Sequence, residues 1–382
     1  MSPWLLATGD FTTLGGMDRA NHALALYLAQ HARPVHVVAH RVSPDVATAR
    51  GVELHLVPRP LDAHLIGAPL LARAAVRQAR ALGPSAHVLM NGGNGVFGSP
   101  IWIHYLHAAY EPDVRASVRS RLSSSAGRQY YLRREREAVM AAPLVICNSR
   151  QTADDVARCY GLPASRMHVV YYGSDAASFG PVTAGERRAA RAIVEVPEDR
   201  LVALFIGALG DRRKGFDLVF DAWRSLASDR TWDVDLLVAG EGAEVAAWRA
   251  HASAAGVGDR IRFLGFRKDI ATVLAAADVL VHPARYEAYG LGVHEAVCRG
   301  IPAIVTGIAG VTERLGPAFQ DLIVPSPPTT ESLSRALRAW RSDVDGWRAR
   351  AENVGSILRG RTWDDMSAEI VAAIEDGTPH AA

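Results

Sequence analysis

Two carboxylates flank a glycine-rich turn in the C-terminal half of the chain, in the segment EAYGLGVHE from Glu287 to Glu295. An apolar run at Asp278–Pro283 predicts a buried strand before this turn, and the apolar residues that end at Arg299 predict a helix after it. A helix N-terminus suits a phosphate, whereas the carboxylates suit the hydroxyls of a ribose and of a second sugar. The alternative is structural: Glu295 packs or caps inside its helix, and Glu287 belongs to a surface loop.

A run of three cations occupies residues 212–214, inside the segment GALGDRRKG at residues 207–215. It lies between a predicted strand, Leu201–Ile206, and a predicted helix, Phe216–Leu226. Cations at a helix start oppose the helix dipole, so a bound diphosphate would offset their repulsion, with lysine as a point charge and arginine as a fork. The alternative is a solvated basic turn. The segment Gly240–Gly242 follows the next predicted strand, and it either lines the same crevice or forms a plain turn.

The N-terminal half carries two further candidates at the carboxyl ends of predicted strands. Gly15–Gly16 precedes a helix, where a glycine pair either lets the backbone approach a ligand or makes a plain tight turn. The pair does not form G-x-G-x-x-G, so a dinucleotide site is only weakly indicated. His104 and His107 end the run Ile101–Tyr105, where an imidazole can donate to a sugar hydroxyl or a developing charge, although a structural role is more common.

Apolar strand-like runs alternate with helical patterns throughout the chain. The first series of predicted strands is Trp4–Ala7, Val35–Ala39, Val52–Val57, His87–Met90, Ile101–Tyr105, Leu144–Cys147 and Val169–Tyr172, with helices at Asp18–Ala32, His64–Leu82 and Ser149–Tyr160. The second series is Leu201–Ile206, Val234–Ala239, Ile261–Leu264, Val279–His282, Ala303–Val305 and Leu322–Val324. Such alternation predicts parallel sheets covered by helices, and two series predict two doubly wound domains. The turn cluster at residues 173–183 is the predicted boundary.

The composition fits a globular protein of two domains. The 382 residues exceed one typical core, and the 49% apolar and 21% charged contents are ordinary. No apolar run is long enough to span a bilayer and Met1 does not open a signal-peptide pattern, so we expect a cytoplasmic protein. Cys147, Cys159 and Cys298 form no CxxC motif, which favours buried reduced thiols over a disulfide framework or a zinc site.

Positive charge is concentrated in the first half of the chain. Residues 1–180 hold 18 Arg, no Lys and 12 Asp or Glu, a net charge of +6, whereas the whole chain carries +2. Seven arginines cluster at Arg115, Arg119, Arg121, Arg128, Arg133, Arg134 and Arg136. One interpretation is that this Arg115–Arg136 region touches a phosphorylated acceptor or the inner membrane face, and contact with the membrane would make the protein a peripheral membrane protein. The alternative is that the region forms a solvated helix face with ion pairs. No nucleic-acid partner is expected, because no binding motif accompanies the charge.

Together these elements resemble the retaining family 4 glycosyltransferases of the GT-B fold, over most of the chain and most closely from about Leu201 to Val324. Glu287–Glu295 is similar to the E-x7-E signature of that family, and residues 205–217 are similar to its VGRLxxxKGxD segment. Residues 146–149 resemble VSxxS, residues 168–175 resemble VIPNGVD, Gly15–Gly16 matches a glycine pair of the N-terminal domain, and Glu313 resembles the end of GGxPE.

The resemblance implies an α/β fold of two Rossmann-like doubly wound domains that face each other across a cleft. Residues 1–175 would form an N-terminal domain that binds the acceptor, and residues 176–362 a C-terminal domain that binds the nucleotide sugar. The last helix, Trp363–Ile374 within residues 363–382, would cross back to the N-terminal domain.

The implied activity is a hexosyltransferase-type transfer of a sugar from a UDP- or GDP-sugar to an acceptor hydroxyl, with retention at the anomeric carbon. The acceptor would be a sugar, a lipid-linked sugar or a small-molecule glycoside. Neither a cofactor nor a metal ion is expected. The alternatives are a nucleotide-sugar epimerase on the same fold and a non-catalytic scaffold that binds sugar nucleotides.

Site residues follow from the same resemblance. The implied catalytic residues are His107, Glu287 and Lys214. The implied donor-binding residues are Gly15, Gly16, Arg213, Lys214, Glu287, Gly290, Leu291, Glu295, Phe266 and Arg267. The lysine, with the neighbouring arginine and the backbone of the glycine-rich turn, would bind the diphosphate. Of the two signature carboxylates, the first would contact the transferred sugar and the second the ribose, while the nucleobase would lie near the Phe-Arg pair.

Two departures from the family pattern, and the position that the pattern gives its N-terminal histidine, affect these assignments. Ala208 replaces the arginine that follows the first glycine of VGRL, and Arg212 or Arg213 is the candidate substitute for its charge. Tyr289 replaces the usual aromatic residue of EGFGL, which is a mild change. The family pattern places the N-terminal histidine just past a strand, which favours His107 over its neighbour.

Overall fold

The computed structural model describes residues 2–110 and 118–376, with the backbone alone described for residues 118–126. The chain separates into two compact units. The first unit contains the described residues up to Gly173 together with those from Thr362 onward, and the second contains Ser174–Arg361. The chain therefore leaves the first unit at the start of the predicted boundary segment and returns to it with its last helix.

The first unit is built on a seven-stranded parallel sheet. The described residues of this unit contain nine strands, seven of them in this sheet: β1 (Trp4–Ala7), β2 (Asp10–Phe11), β3 (Val35–Ala39), β4 (Arg41–Val42), β5 (Val52–Leu56), β6 (His87–Asn91), β7 (Ile101–Ile103), β8 (Val145–Cys147) and β9 (Met167–Val169). The helices are α1 (Gly16–Gln30), α2 (Pro44–Ala47), α3 (His64–Leu82), α4 (Val118–Ala141) and α5 (Arg150–Tyr160), with short 3-10 helices at Pro60–Asp62, Gly92–Asn94, His107–Ala109 and Ala164–Arg166. Strands β2 and β4 pair separately as a small two-stranded sheet.

The second unit is built on a six-stranded parallel sheet. Its strands are β10 (Leu201–Ile206), β11 (Val234–Ala239), β12 (Ile261–Gly265), β13 (Val279–His282), β14 (Ala303–Thr306) and β15 (Ile323–Val324). Its helices are α6 (Ala184–Ile193), α7 (Phe216–Ala227), α8 (Val245–Ala254), α9 (Ile270–Ala276), α10 (Leu291–Cys298), α11 (Thr312–Leu315), α12 (Thr330–Ser342) and α13 (Val344–Arg359), with 3-10 helices at Arg212–Lys214, Gly258–Arg260 and Pro317–Leu322. The final helix, α14 (Trp363–Glu375), belongs to the first unit, where it contacts α1.

Both sheets change winding direction at an internal point. The strand orders are β5-β3-β1-β6-β7-β8-β9 and β12-β11-β10-β13-β14-β15. The chain winds outward from β1 through β3 to β5 and restarts at β6 beside β1. In the second sheet it winds from β10 to β12 and restarts at β13 beside β10. Open α/β sheets bind ligands at such switch points, beyond the carboxyl ends of the strands.

Buried apolar strands hold each sheet inside its helical layers. In β1 the side chains of Trp4, Leu5 and Leu6 are at most 1% exposed, as expected for a strand covered on both faces. Burial of each large apolar side chain contributes about 1.5–3 kcal/mol. In the first unit Val38 and Val57 pack beneath α3 in a cluster of this kind.

Capping side chains begin two helices of the first unit, and a glycine allows two chain segments to cross at its boundary. The Ser149 hydroxyl caps α5 by accepting a 3.0 Å hydrogen bond from Thr152 N. Thr362 and Asp365 form a capping box that begins α14. A Cβ at Gly173 would lie 2.2 Å from Thr362 O, so only glycine lets the two chain segments pass at this point.

The predicted α/β fold with two parallel sheets is confirmed, but some element bounds were wrong. The predicted strand Val169–Tyr172 is displaced, since β9 ends at Val169 and the last ladder bond runs from Val170 N to Cys147 O at 2.8 Å. The first helix is Gly16–Gln30, not 18–32, because Ala32 has a left-handed φ of 53°. Strands of two residues, such as β2 and β4, are too short to show a periodic pattern.

Candidate functional site

A lysine, a glutamate and a histidine meet at the switch point of the second sheet. Lys214 follows β10, Glu287 follows the adjacent β13, and His282 is the last residue of β13. Lys214 Nζ lies 2.5 Å from Glu287 Oε2, and His282 Nε2 lies 3.1 Å from the same oxygen. The three side chains are 19%, 15% and 6% exposed, so the ion pair is largely shielded from water.

The cluster keeps its carboxylate ionised and its imidazole neutral. Burial favours a higher pKa for the Glu287 carboxyl, but the Lys214 ammonium and the His282 hydrogen bond outweigh it and hold that pKa well below its usual range. Burial lowers the pKa of His282, so its neutral ring donates through Nε2. Among the described residues, both hydrogen bonds to the carboxylate fall on Oε2. The second oxygen, Oε1, can therefore accept a hydroxyl.

An arginine braces the turn that carries Lys214. Arg285 lies in the loop after β13 and forms a bidentate ion pair with Asp217 at 2.7 and 2.8 Å. The same guanidinium donates to Arg212 O at 2.6 Å, and the Arg285 backbone N–H donates to Arg213 O at 2.8 Å. These bonds fix the loop after β10 against the loop after β13, which sets the lysine beside its glutamate.

Gly215 lets this turn cross the end of β13. Its φ of 75° is left-handed, and an added Cβ would lie 2.2 Å from Pro283 O. We expect Gly215→Ala to lower the free energy of unfolding by about 2–4 kcal/mol, from left-handed strain and overpacking. Urea denaturation measures the loss. Gly185→Ala is the matched control, since a Cβ there meets nothing within 4 Å, and an equal loss in both variants would contradict the prediction.

A chain of hydrogen bonds fixes the glycine-rich turn at the N-terminus of α10. Gly290 caps this helix with a φ of 99°. His294 Nδ1 accepts from the Tyr289 hydroxyl at 2.8 Å, and its Nε2 donates to Ser174 Oγ at 2.6 Å, since the serine hydroxyl itself donates to Leu358 O at 2.9 Å. Burial lowers the pKa of His294 to about 3, so the ring stays neutral. Tyr289, which replaces the usual aromatic residue of the family motif, thus supplies a hydroxyl that anchors the turn.

The other predicted donor-binding residues of the second unit lie along the carboxyl edge of the same sheet. Leu291 is the first residue of α10, and Glu295 is the fifth and only 7% exposed. Phe266 follows β12 and is 55% exposed, and its backbone N–H donates to Glu241 Oε1 at 3.4 Å. Arg267 forms a bidentate pair with Asp269 at 2.8 and 2.5 Å.

The basic turn is not a solvated run of charges, because each cation has a carboxylate partner. Arg212 faces Asp217 at 3.6 Å, and Arg213 Nε lies 3.3 Å from an oxygen of Asp211. Burial favours a higher pKa for Glu287, and the charge of Arg213 adds to the opposing and larger effects of Lys214 and His282, which lower that pKa. This geometry favours Arg213 over its neighbour as the substitute for the arginine that Ala208 replaces.

In the first unit, a buried glutamate positions His107. The Glu135 carboxylate accepts from the backbone N–H groups of His107 and Ala108 at 2.7 and 3.1 Å and from the Tyr160 hydroxyl at 2.6 Å. The His107 ring stacks on Tyr131 with centroids 5.1 Å apart. Burial lowers the pKa of His107 to about 4, so the half-buried ring is neutral. Sequence reasoning missed this role of Glu135.

His104 has the structural role that is more common for a lone histidine. It is 8% exposed, and its Nδ1 lies 2.5 Å from the Tyr172 hydroxyl while its Nε2 lies 3.3 Å from Asn21 Nδ2. Burial lowers its pKa to about 3. Both ring nitrogens have protein partners, which favours His107 as the site histidine.

The glycine pair lies at the switch point of the first sheet. Gly15 has a φ of 86° and caps α1, and an added Cβ would meet nothing within 4 Å, so the dihedral angle alone requires glycine. Gly16 begins the helix. Across the same switch point, Asn91 Nδ2 donates to Thr8 Oγ1 at 2.9 Å.

Asp18, in the first turn of α1, is a candidate that the sequence reasoning missed. Burial and the charge of Asp10 raise the pKa of Asp18 to about 7, against the opposing effects of Arg41 and Arg59. Carboxyl groups with a pKa near neutrality are suited to acid–base work. The sequence feature that could have indicated Asp18 is the position of this acid three residues after a glycine at a strand's carboxyl end.

Ionisation of Asp18 should oppose folding at neutral and higher pH. Its folded pKa of about 7 lies above the ordinary 3.8, so the contribution of the protonated form is full below about pH 4 and is lost as the pH rises through 7. We expect Asp18→Asn to raise the free energy of unfolding at pH 8 by at most about 4 kcal/mol, and not at pH 4. Denaturation at a series of pH values measures this, with exposed Asp154→Asn as control. A gain that does not depend on pH would contradict it.

The arginine-rich region is described only in part. Arg115 and the side chains of Arg119 and Arg121 lie outside the described residues. Further along α4, Glu137 accepts from Arg133 and Arg134 at 2.9 and 2.8 Å, as in a solvated face with ion pairs. Contact of this region with a membrane stays a prediction. Among the described residues, no helix is both long and apolar enough to cross a bilayer.

Family models match the chain in two successive segments. The model described as Glycosyltransferase Family 4 matches residues 14–178, and the model described as Glycosyl transferases group 1 matches residues 186–355. The two segments together span most of the chain. The chain belongs to the family 4 glycosyltransferases.

Individual relatives agree with this assignment. A D-inositol 3-phosphate glycosyltransferase from Jonesia denitrificans is 26% identical over 252 residues, and the match covers 63% of this chain but only 58% of that enzyme. The crystal structure of WaaG, a glycosyltransferase involved in lipopolysaccharide biosynthesis, aligns with a TM-score of 0.76 at 20% identity over 97% of this chain and 99% of that one. HepE from Anabaena, in complex with UDP-glucose, aligns with a TM-score of 0.72 at 17% identity over 98% of this chain and 100% of that one. The two structural similarities establish the GT-B fold.

Proposed function

We propose that this protein is a retaining glycosyltransferase that moves a sugar from a UDP-sugar to an acceptor hydroxyl. The observation that carries the proposal is the ion pair of Lys214 and Glu287 at the switch point of the second sheet, beside the N-terminus of α10. This arrangement offers cationic donors to a diphosphate and a carboxylate oxygen to a sugar hydroxyl. Family membership supports the reaction class, and the UDP-glucose complex of HepE supports uridine over guanosine as the first base to test.

The second unit would bind the donor and stabilise the leaving diphosphate. Lys214 uses one of its three N–H donors on Glu287, so two remain for phosphate oxygens. The free N–H groups at Gly290 and Leu291 and the guanidinium of Arg213 add positive potential at the same edge. Loss of a single donor of this kind typically costs about 2.7–4 kcal/mol of transition-state stabilisation. In this proposal these protein groups supply the charge that the departing diphosphate needs.

The two signature carboxylates would act as hydroxyl acceptors. Glu287 Oε1 would accept from the transferred sugar while Oε2 stays bound to Lys214 and His282. Glu295 would accept from the ribose, and Phe266 and Arg267 would flank the base. Neither carboxylate is assigned the acid or nucleophile role that retaining glycosidases require. Retention would then follow front-face attack assisted by the leaving diphosphate, as the family resemblance implies.

The first unit would bind the acceptor. His107 is neutral and held by Glu135, so it can donate to or accept from an acceptor hydroxyl. Asp18, with a pKa of about 7, is matched to deprotonate that hydroxyl near neutral pH. The net charge of +6 in residues 1–180 would favour an anionic acceptor. The name of the Jonesia relative makes D-inositol 3-phosphate the first acceptor to test, with lipid-linked sugars and small glycosides next.

Binding and turnover together test the proposal against its alternatives. Thermal-shift titrations with UDP, GDP and ADP should show the largest rise in Tm with UDP, because a ligand that binds only the folded state stabilises it. Incubation of UDP-glucose with the acceptor panel should then release UDP and form a product whose anomeric proton coupling in NMR shows retention. Conversion of the sugar nucleotide without any acceptor would indicate an epimerase. Binding without turnover across the panel would favour a scaffold, and no shift with any nucleotide would overturn the donor site.

A further inference from the structure

Three side chains of metal-binding type converge on one face of the first sheet, on the adjacent strands β3 and β5. The parallel register pairs His36 directly with Glu53, and His55 lies two residues beyond that glutamate. Because side chains alternate between faces along a strand, all three project from the same face. Backbone register therefore brings them together.

The distances among the three groups are those of ligands around one ion. His36 Nδ1 lies 3.1 Å from His55 Nε2, and the Glu53 carboxylate oxygens lie 3.5 Å from each of these nitrogens. Zinc binds imidazole nitrogen and carboxylate oxygen at about 2.0–2.2 Å in tetrahedral geometry, which separates two ligand atoms by about 3.3 Å. The observed separations bracket this value.

Hydrogen bonding alone explains the cluster less well. The two imidazoles can share one proton at 3.1 Å, but 3.5 Å is too long for an ordinary N–H···O hydrogen bond to Glu53. The side chains of His36 and His55 are 14% and 23% exposed, whereas that of Glu53 is 64% exposed. The histidines are thus held by their surroundings, while an ion can still reach them from solvent.

We propose that His36, Glu53 and His55 form a binding site for a divalent transition metal ion, with Zn²⁺ as the ion that the two nitrogens and one oxygen fit best. Three protein ligands leave the fourth position of a tetrahedral ion to water. The bound ion ties the terminal strand β5 to β3, the strand with which β5 pairs in the sheet order. This departs from the sequence-based expectation that the protein binds no metal.

The site is separate from the residues assigned to glycosyl transfer. His36 and Glu53 are each the second residue of their strand and His55 is the fourth of the five residues of β5, so the cluster lies along the two strands and not beyond their carboxyl ends. Gly15 and Asp18 follow the carboxyl end of β1 in the same unit. The metal proposal therefore does not depend on the proposed function, and either can fail alone.

Metal titration of the full chain tests the proposal. The protein is prepared without an affinity tag, treated with EDTA and dialysed, and then titrated with ZnCl₂ by calorimetry. We expect one ion per chain and a Zn²⁺-dependent rise in Tm. His36→Gln and His55→Gln should each weaken binding by at least about 100-fold, since loss of a partner outside the ligand set already costs about 10–100-fold. His31→Gln is the control, because His31 is exposed in the same unit and bonds to Tyr27 O of its own helix.

Two further variants make the result decisive. Arg77 of α3 acts electrostatically on His55, so Arg77→Gln should strengthen Zn²⁺ binding several-fold by removing a like charge. Glu53→Gln changes an exposed side chain, so it should weaken binding without loss of the folded circular dichroism signal, even where a histidine variant fails to fold. Unchanged Zn²⁺ affinity in Glu53→Gln and in the folded histidine variants, or no binding by the parent protein at micromolar Zn²⁺, would overturn the proposal.

Discussion

Lys214→Met is expected to lower kcat/KM for the sugar nucleotide by about 100–1,000-fold, the loss typical of removing one preorganised donor to a developing charge. The lysine is 19% exposed and fixed on Glu287 at 2.5 Å, so it need not be ordered when the donor binds. UDP itself should also bind more weakly, because Lys214 is assigned to the diphosphate. Steady-state kinetics and calorimetry with UDP measure the two effects.

The same substitution disturbs the folded state, and a double variant separates the two consequences. Removing the ammonium leaves the largely buried Glu287 carboxylate without its main counter-charge, which can cost about 3–5 kcal/mol. Lys214→Met combined with Glu287→Gln removes both charges, so it should recover much of the stability but not the activity. Lys268→Met, at the other and exposed lysine, should leave binding and kcat/KM near the parent values. Equal, small effects from both lysines would remove Lys214 from the diphosphate site.

Much of the fold was predictable because buried parallel strands form continuous apolar runs. The predicted β1, β3, β10, β11 and β13 match the observed strands residue for residue. The order of strands was not predictable in this way, because runs of similar composition can pair in many orders. The switch points between β1 and β6 and between β10 and β13 exist only at the level of that order. These switch points determine where the site lies, so the position of the site could be found only from the structure.

The site residues likewise fall into those that the sequence displays and those that only the structure identifies. Lys214 and Glu287 belong to spaced motifs with glycine, which the sequence displays directly. His282 occupies the last position of an apolar strand, where the sequence alone does not distinguish it from a core residue. The raised pKa of Asp18 depends on burial and on the nearby charge of Asp10, and both arise only from tertiary packing.

The glycine-rich turn shows how a departure from a motif can be explained only by its contacts. Tyr289 differs from the usual aromatic residue by a hydroxyl, and the sequence offers no partner for it. In the structure that hydroxyl bonds to His294, which in turn bonds to Ser174 from a distant part of the chain. A long-range chain of this kind leaves no local periodic signal, so it was beyond sequence reasoning.

Glu287→Gln should give the second large loss, and it should differ in kind from the loss at Lys214. The amide keeps the shape but removes the charge that draws hydrogen bonds from a sugar hydroxyl, so we expect kcat to fall by about 100-fold or more. UDP lacks the transferred sugar, so its affinity should stay within a few-fold of the parent value. Single-turnover kinetics with UDP-glucose and calorimetry with UDP measure the two quantities.

The state of Lys214 decides how this result is interpreted. In the parent protein the carboxylate holds the ammonium at 2.5 Å and His282 at 3.1 Å, whereas the amide of Glu287→Gln offers a weaker acceptor to both. The released lysine can move fully onto the diphosphate, so UDP affinity should rise slightly rather than fall. Glu195→Gln is the matched control in the same unit, since that side chain is 81% exposed and pairs only with Arg262 among the described residues. A loss of UDP affinity as large as the loss in kcat would place Glu287 on the diphosphate side of the site and would contradict its assignment to the sugar.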